Sequence, residues 1–272
     1  MQASRRGAGA IAAGGGALAL LAVVAITGPA LPTRDPLAVD LPGRLRPPSA
    51  AHLLGQDALG RDVLARVIAG ARISLGVGAA VVALTLTVGV GLGAVAGYAG
   101  GRVDEVLSRA VDVLLAFPGL LLAIFLAAVL GPGVGHAVVA LALLGWTGYA
   151  RLARSQVAGL RHRDFVQAAE ALGASPGRVV FRHLLPLAAP ALVVQATFGL
   201  SGAVLAEASL SFLGLGAPPP TPSWGAMLSE GRAFLLVAPH LTLFPGLALT
   251  LTVLALQLLG DGLRDWLDVR DS

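Results

Sequence analysis

Residues 74–99 read SLGVGAAVVALTLTVGVGLGAVAGYA, twenty-six positions without one charged side chain. A hydrocarbon layer about 30 Å thick takes about 20 residues of helix at 1.5 Å each, so this stretch is long enough to cross it. Helix is the form the layer demands, because no water is present to satisfy backbone N–H and C=O groups. Comparable runs recur at about 10–29 (AIAAGGGALALLAVVAITGP), 111–131, 134–152, 187–213 and 240–260. The reading is an all-α polytopic membrane protein with six transmembrane helices. Composition agrees: 56% of residues are hydrophobic and 12% charged, with mean hydropathy +0.81, more apolar surface than a soluble core can hide.

The charges exclude several chemistries. All 19 basic residues are arginine. A phosphate-cradling P-loop needs a lysine and Schiff-base catalysis needs an amine, so neither resides here. The absence of cysteine removes thiol catalysis, disulfides and Cys-ligated metals. His52, His136, His162, His183 and His240 show no pair at metal-ligand spacing. No catalytic residue, cofactor site or metal site is expected. With the amino terminus inside, twelve of the nineteen arginines fall on inside segments: Arg5, Arg6, Arg102, Arg109, Arg151, Arg154, Arg161, Arg163, Arg178, Arg182, Arg264 and Arg270. The outside set is Arg34, Arg44, Arg46, Arg61, Arg66, Arg72 and Arg232, six of them in the long loop 30–73, where charge counts for less. Both termini are therefore expected to be cytoplasmic. A twin-arginine start before a Gly/Ala-rich run can also be an export signal. Here no small-residue cleavage site follows, and removal would leave an odd number of spans.

Gly76, Gly78, Gly89, Gly91, Gly93 and Gly97 recur through the second span, a composition that lets helix backbones approach closely in lipid. Pro118 and Pro245 are read as interruptions that helix packing tolerates. Glu207 is the one acid well inside an apolar span, which makes it a candidate for the translocation path or outer gate, against the alternative of an acid hydrogen-bonded between helices. Trp224 is read as an interfacial anchor.

One passage breaks the apolar pattern: FVQAAEALGASPGRVVFRHLLP, residues 165–186. Phe165, Ala169 and Leu172 fall on one helical stripe, with Arg163, Gln167 and Glu170 on another. Gly173 suits a left-handed helix stop, Ser175 a cap, and Pro176 the first turn of a second helix. The passage then runs through LLP into the fifth span. Two short helices held at both ends by spans make a handle on the membrane surface, suited to docking a peripheral protein. The flanking spans argue against nucleic acid as the partner.

This passage resembles the EAA loop of ABC-transporter permeases, whose pattern is Glu-Ala-Ala, three residues, Gly, nine residues, an apolar residue, one residue, then Leu-Pro. Gln167, Ala168 and Ala169 fill the first places, Gly173 the glycine, and Leu185 and Pro186 the ending; Gln167 replaces the acid and His183 the apolar residue, with Glu170 close by. LLGQDALGRDVLARVIAGARISLGVG from 53, GRVDEVLSRAVDVLLAFPGLLLAI from 101, AEASLSFLGLGAPPPTPSWGAML from 206 and LLGDGLRDWLD from 258 extend the resemblance over about 50–270. They are similar to the peptide/nickel subfamily, specifically its dipeptide and oligopeptide C subunits.

The resemblance implies a type I ABC importer fold in a bacterial inner membrane. The implied partners are a second related permease, two cytoplasmic ABC ATPase subunits and an extracytoplasmic substrate-binding protein, with membrane lipid around the spans. The expected division is residues 1–73 with the first span and an outer loop, 74–263 as the permease domain with the coupling loop at about 161–186, and 264–272 as a tail. The function so implied is a permease subunit forming half of the pathway for peptides or related solutes such as nickel chelates or glutathione. A self-sufficient ion-coupled carrier is the alternative, and it calls for several mid-membrane acids where this chain offers Glu207 alone.

Overall fold

The computed structural model describes residues 2–27 and 34–268; the side chains of Arg5 and Arg6, together with Gly28, Pro29 and Arg270, lie outside what it describes. Its helices are α1 (Gln2–Thr27), α2 (Val63–Ala99), α3 (Gly101–Leu115), α4 (Gly119–Leu130), α5 (Val134–Leu160), α6 (Asp164–Ala171), α7 (Pro176–Val179), α8 (Leu185–Phe212), α9 (Trp224–Gly231) and α10 (His240–Asp268). No β-strand occurs among the described residues, only a single bridge between Gln56 and Asp62.

Four helices are long and apolar enough to span: α1, α2, the continuous run Pro176–Phe212 and α10. A fifth arises if α3 and α4, bent by 82° at their junction, count as one broken span. Length and composition alone thus mark four or five of the expected six. The remaining expected span is α5, which at 27 residues has the length but carries His136, Trp146, Thr147, Tyr149 and Arg151 along it. Much of its surface, including Thr147, Tyr149, Ala150, Ala153 and Val157, is buried against other helices, so it need not be uniformly apolar.

Pro118 does interrupt helical structure, standing just before α4 at the sharp bend. Proline supplies no N–H, and its ring disfavours α geometry at the preceding residue, here Phe117. The chain therefore turns between Leu115 and Gly119, and residues 101–115 form an amphipathic helix before the apolar α4. Asp104 on α3 accepts from both Nε and Nη2 of Arg154, tying this helix to α5. Pro245, by contrast, lies inside α10.

The second helix is 37 residues, about 55 Å long, and starts eleven residues before the expected span. Its glycines divide by face. A Cβ at Gly89, Gly93 or Gly97 would come within 3.0 Å of the backbone carbonyl of Trp146, Ala150 or Arg154 respectively, a seam repeating every four residues on both helices. Gly78 gives the same closeness to Val204 of α8, whereas Gly76 and Gly91 face open space. The α2–α5 pair is thus joined backbone to backbone. Around its middle, Val77, Val81, Ala123, Ala127, Ala140, Leu141, Ala203 and Leu210 form the main core shared with α4 and α8. On another side α1 lies along α10, with Gly14 pressed onto the backbone of Ala255 and Leu259.

Candidate functional site

The passage 161–186 forms an elbow at the end of α5. Its chain direction follows the local signals. Gly173 has φ +82°, and its N–H donates to Glu170 O at 2.9 Å while the N–H of Ala174 reaches back to Ala169 O at 3.0 Å, closing α6. Ser175 Oγ then accepts from Arg178 N at 3.4 Å, and Pro176 occupies the first turn of α7. The second helix of the elbow is not separate from the fifth span. Pro186 cannot donate to Arg182 O and crowds it, and the residues before it, Val180–Leu184, take a π-helical turn in which Leu185 N bonds Val180 O. One helical run results, Pro176–Phe212.

The buried face of the elbow differs from the expected stripe. Val166, rather than Phe165 and Leu172, is the fully enclosed side chain of α6. It packs with Ala94 of α2, Val157 of α5, Val179, Val180 and Leu184, with Tyr98, Leu160, Ala174 and Leu185 around them. Leu172 is 89% exposed, and Phe165 and Phe181 also face outward. Glu170 accepts from Tyr98 Oη at 2.6 Å, so its carboxylate binds α6 to the end of α2. Gln167 is exposed and donates from Nε2 to His162 O at 3.2 Å; Ala168 is exposed and Ala169 half-buried. His183 is half-buried in the π turn, and Pro186 is exposed. Arg161 reaches across to Tyr98 O at 3.2 Å. The elbow is therefore seated on the joined ends of α2 and α5 and continuous with α8, while its outer surface carries bare apolar side chains.

Glu207 stands far from the elbow, toward the C-terminal end of α8. It is 1% exposed, and its Oε1 accepts from Ser211 Oγ at 2.6 Å, with Ser74 of α2 and Ser223 before α9 also close. Next to it, Trp224 N donates to Ser74 Oγ at 3.3 Å and Trp224 Nε1 to Val67 O at 3.0 Å. Trp224 is fully enclosed, so it is a strut between α9 and α2 and not the interfacial anchor expected; the helix α9 folds back onto α2 and α8 and covers it.

At that same end the structure gathers charges that the sequence left scattered. Asp57 Oδ2 accepts from Arg61 Nε at 2.6 Å and from Arg66 Nη1, and Glu230 on α9 accepts from Arg61 Nη2 at 2.9 Å and from Arg66 Nη2. Arg66 is 1% exposed. Asp62 caps α2 through Ala65 N at 2.9 Å and holds His52 Nδ1 at 2.8 Å, while His240 lies 3.3 Å from Gln56 O. The loop before α2 is thereby knotted to α9 and α10. Arg61 and Arg66 are structural ion-pair partners, which explains part of the arginine count on the expected outer side. The alternation Asp57, Arg61, Asp62, Arg66 was the available signal; its partner Glu230 lies more than 160 residues away.

With this geometry established, the comparisons with known proteins are specific. Residues 89–270 match the family described as binding-protein-dependent transport system inner membrane component. The dipeptide transport system permease protein of Alkalihalophilus pseudofirmus is 45% identical over 246 residues, covering 90% of this chain and 81% of the relative. Glutathione transport system permease proteins of Pectobacterium atrosepticum and of Escherichia coli O157:H7 are 46% and 48% identical over 221 residues, covering 81% of this chain and 73% of each relative.

Proposed function

The chain belongs to the binding-protein-dependent transport system inner membrane components, the permease subunits of ABC importers, and on that premise we propose that the elbow at 161–186 is where ATP-driven motion enters it. The chain is a multi-pass membrane permease and not itself an ATPase; hydrolysis and substrate capture belong to partner subunits. In the assembly we propose, a second related permease completes the pathway, two ATPase subunits bind on the elbow side, and a binding protein delivers solute at the knotted end. The elbow and both termini then face the cytoplasm, in keeping with the arginine distribution. Short peptides, with dipeptides and glutathione as the first candidates, are the proposed cargo.

The observation that carries this reading is the two-sided construction of the elbow. Its inner side, centred on Val166, is locked to α2 and α5, and its outer side presents Leu172 almost fully bare. An apolar side chain held rigidly in the open is the form of a docking point. Gln167, Ala168, Ala169, Gly173 and His183 belong to this surface, while Glu170 works inward through Tyr98. Leu185 and Pro186 carry displacement through the π turn into α8. When the ATPase pair closes, the elbow moves with it, and the α2–α5 unit and α8 shift together, changing which side of the pathway is open.

Glu207, enclosed between α8, α2 and α9, is proposed as an inter-helix strut and not as a gate. The test is Leu172→Glu. Being exposed, this change leaves the fold and its thermal midpoint intact, while capture of the ATPase subunits and delivery-stimulated ATP hydrolysis fall together by about tenfold or more, the scale of one well-placed interface residue. Undiminished ATPase capture refutes the assignment of the docking surface.

A further inference from the structure

A cleft of about 350 Å³ opens between α2, α4, α5 and α8, within the range of small-molecule sites. Its walls are mostly glycine, alanine and aliphatic side chains. Three polar residues interrupt them: Thr85, Tyr149 and Gln195. No charged residue lines it. Tyr149 is 4% exposed and its hydroxyl, seated in the notch that Gly199 leaves on α8, has the Thr85 hydroxyl beside it but no well-formed hydrogen bond. The half-buried amide of Gln195 makes no hydrogen bond among the described residues. Thr85 already donates to Val81 O at 2.8 Å.

Depth gives these groups their meaning. Gln195 lies ten residues after the start of α8, Tyr149 eleven before the end of α5 and Thr85 fourteen before the end of α2, so all three stand about 15–20 Å from the elbow along their helices. That is near the middle of a layer about 30 Å thick. A hydroxyl without a well-formed bond and a free amide at that depth are ready to bond a polar group that arrives, because lipid offers them none.

Resting on the importer reading above, we propose that this cleft is where the backbone of an amide-bearing solute is hydrogen-bonded in transit. Tyr149 Oη donates to a carbonyl or carboxylate oxygen of the solute. The Gln195 amide matches a peptide unit, accepting from its N–H and donating to its C=O. Because no ionised side chain lines the cleft, the solute's charged termini stay with water, and recognition is of the backbone amide and indifferent to side-chain identity. Glu207 takes no part, since it does not line the cleft.

The chain contains no cysteine, and the cleft-lining Gly119 and Gly202 have open space where a Cβ would be added. Gly119→Cys and Gly202→Cys in the assembled transporter, reconstituted in liposomes, are exposed to a charged methanethiosulfonate with and without alanyl-alanine or glutathione. The expected result is modification of this chain that either solute slows. No modification, as when lipid or the partner permease fills the cleft, overturns the proposal, and so does modification that neither solute slows. In parallel, Tyr149→Phe and Gln195→Leu are expected to lower solute taken up per ATP hydrolysed by about two- to tenfold each, the range of one net hydrogen bond. An unchanged ratio in Gln195→Leu, whose side chain is half-exposed and removable without unfolding, overturns it as well. The wild-type complex separates the two levels: delivery-stimulated ATP hydrolysis with accumulation of neither solute contradicts the amide site while leaving the importer reading in place, whereas solute uptake independent of ATP contradicts the importer reading.

Discussion

Two glycines two positions apart on α2 meet opposite surroundings. A Cβ at Gly93 would press on the carbonyl of Ala150, closer than real Cβ atoms come, whereas one at Gly91 meets nothing within 4 Å. Replacing either by alanine removes a glycine from a helix interior, a gain of up to about 1 kcal/mol that is common to both and cancels in the comparison. What remains is the overpacking at Gly93, about 1–3 kcal/mol. The neighbour is backbone and cannot rotate away, so separation of α2 from α5 is the available relief, and the upper part of that range applies. Gly93→Ala is therefore expected to be less stable than Gly91→Ala by about 30- to 150-fold in the unfolding equilibrium. Reversible unfolding in mixed detergent micelles, followed by tryptophan fluorescence, measures the difference. A Gly93→Ala protein as stable as Gly91→Ala would show that the seam does not hold the two helices together.

Three further substitutions probe other joints. Asp57→Asn leaves Arg66 buried with only the partly exposed Glu230, and is expected to cost about 3–5 kcal/mol; thermal denaturation and proteolysis of the loop before α2 report it, and an unshifted midpoint contradicts the role of the knot. Glu170→Gln weakens the Tyr98 contact by about 0.5–1.5 kcal/mol, seen as faster hydrogen exchange of α6 without loss of the α2–α5 pair; unchanged exchange counts against the clasp. Gly173→Val forces a β-branched residue to φ +82° at a cost of about 1–2 kcal/mol, expected to loosen the elbow and lower ATPase coupling, while Gly177→Ser, where nothing lies within 4 Å, keeps coupling near wild type. Equal coupling in the two variants removes the turn from the mechanism.

What the sequence disclosed follows from how local each signal is. The uncharged run 74–99 announces a membrane helix because lipid leaves the backbone no other partners. Gly173, Ser175 and Pro176 announce the elbow because their signals act within a few residues. The buried face of α6 was not legible in the same way: Val166 is enclosed by Ala94 and Val157, contributed by helices distant in sequence, so the Phe165–Leu172 stripe pointed to the wrong side. Six glycines flagged α2 as a packing helix, but only the fold shows that Gly89, Gly93 and Gly97 face α5 while Gly76 and Gly91 do not. The Asp57–Arg66–Glu230 knot and the Tyr149–Gln195 cleft escaped notice for a similar reason, each needing partners brought together from separate helices or loops. The search for lone acids in apolar spans led instead to Glu207, which lies outside the cleft and holds Ser211 through one carboxylate oxygen.

Solute accumulation in liposomes holding this chain and its partner permease, with and without the ATPase subunits, bears on the whole scheme. With the solute-loaded binding protein supplied outside, uptake is expected only with the ATPases and ATP, and to be lost with Leu172→Glu. Accumulation driven by an imposed proton or sodium gradient in their absence would contradict it, because the chain would then power transport without receiving work at its elbow.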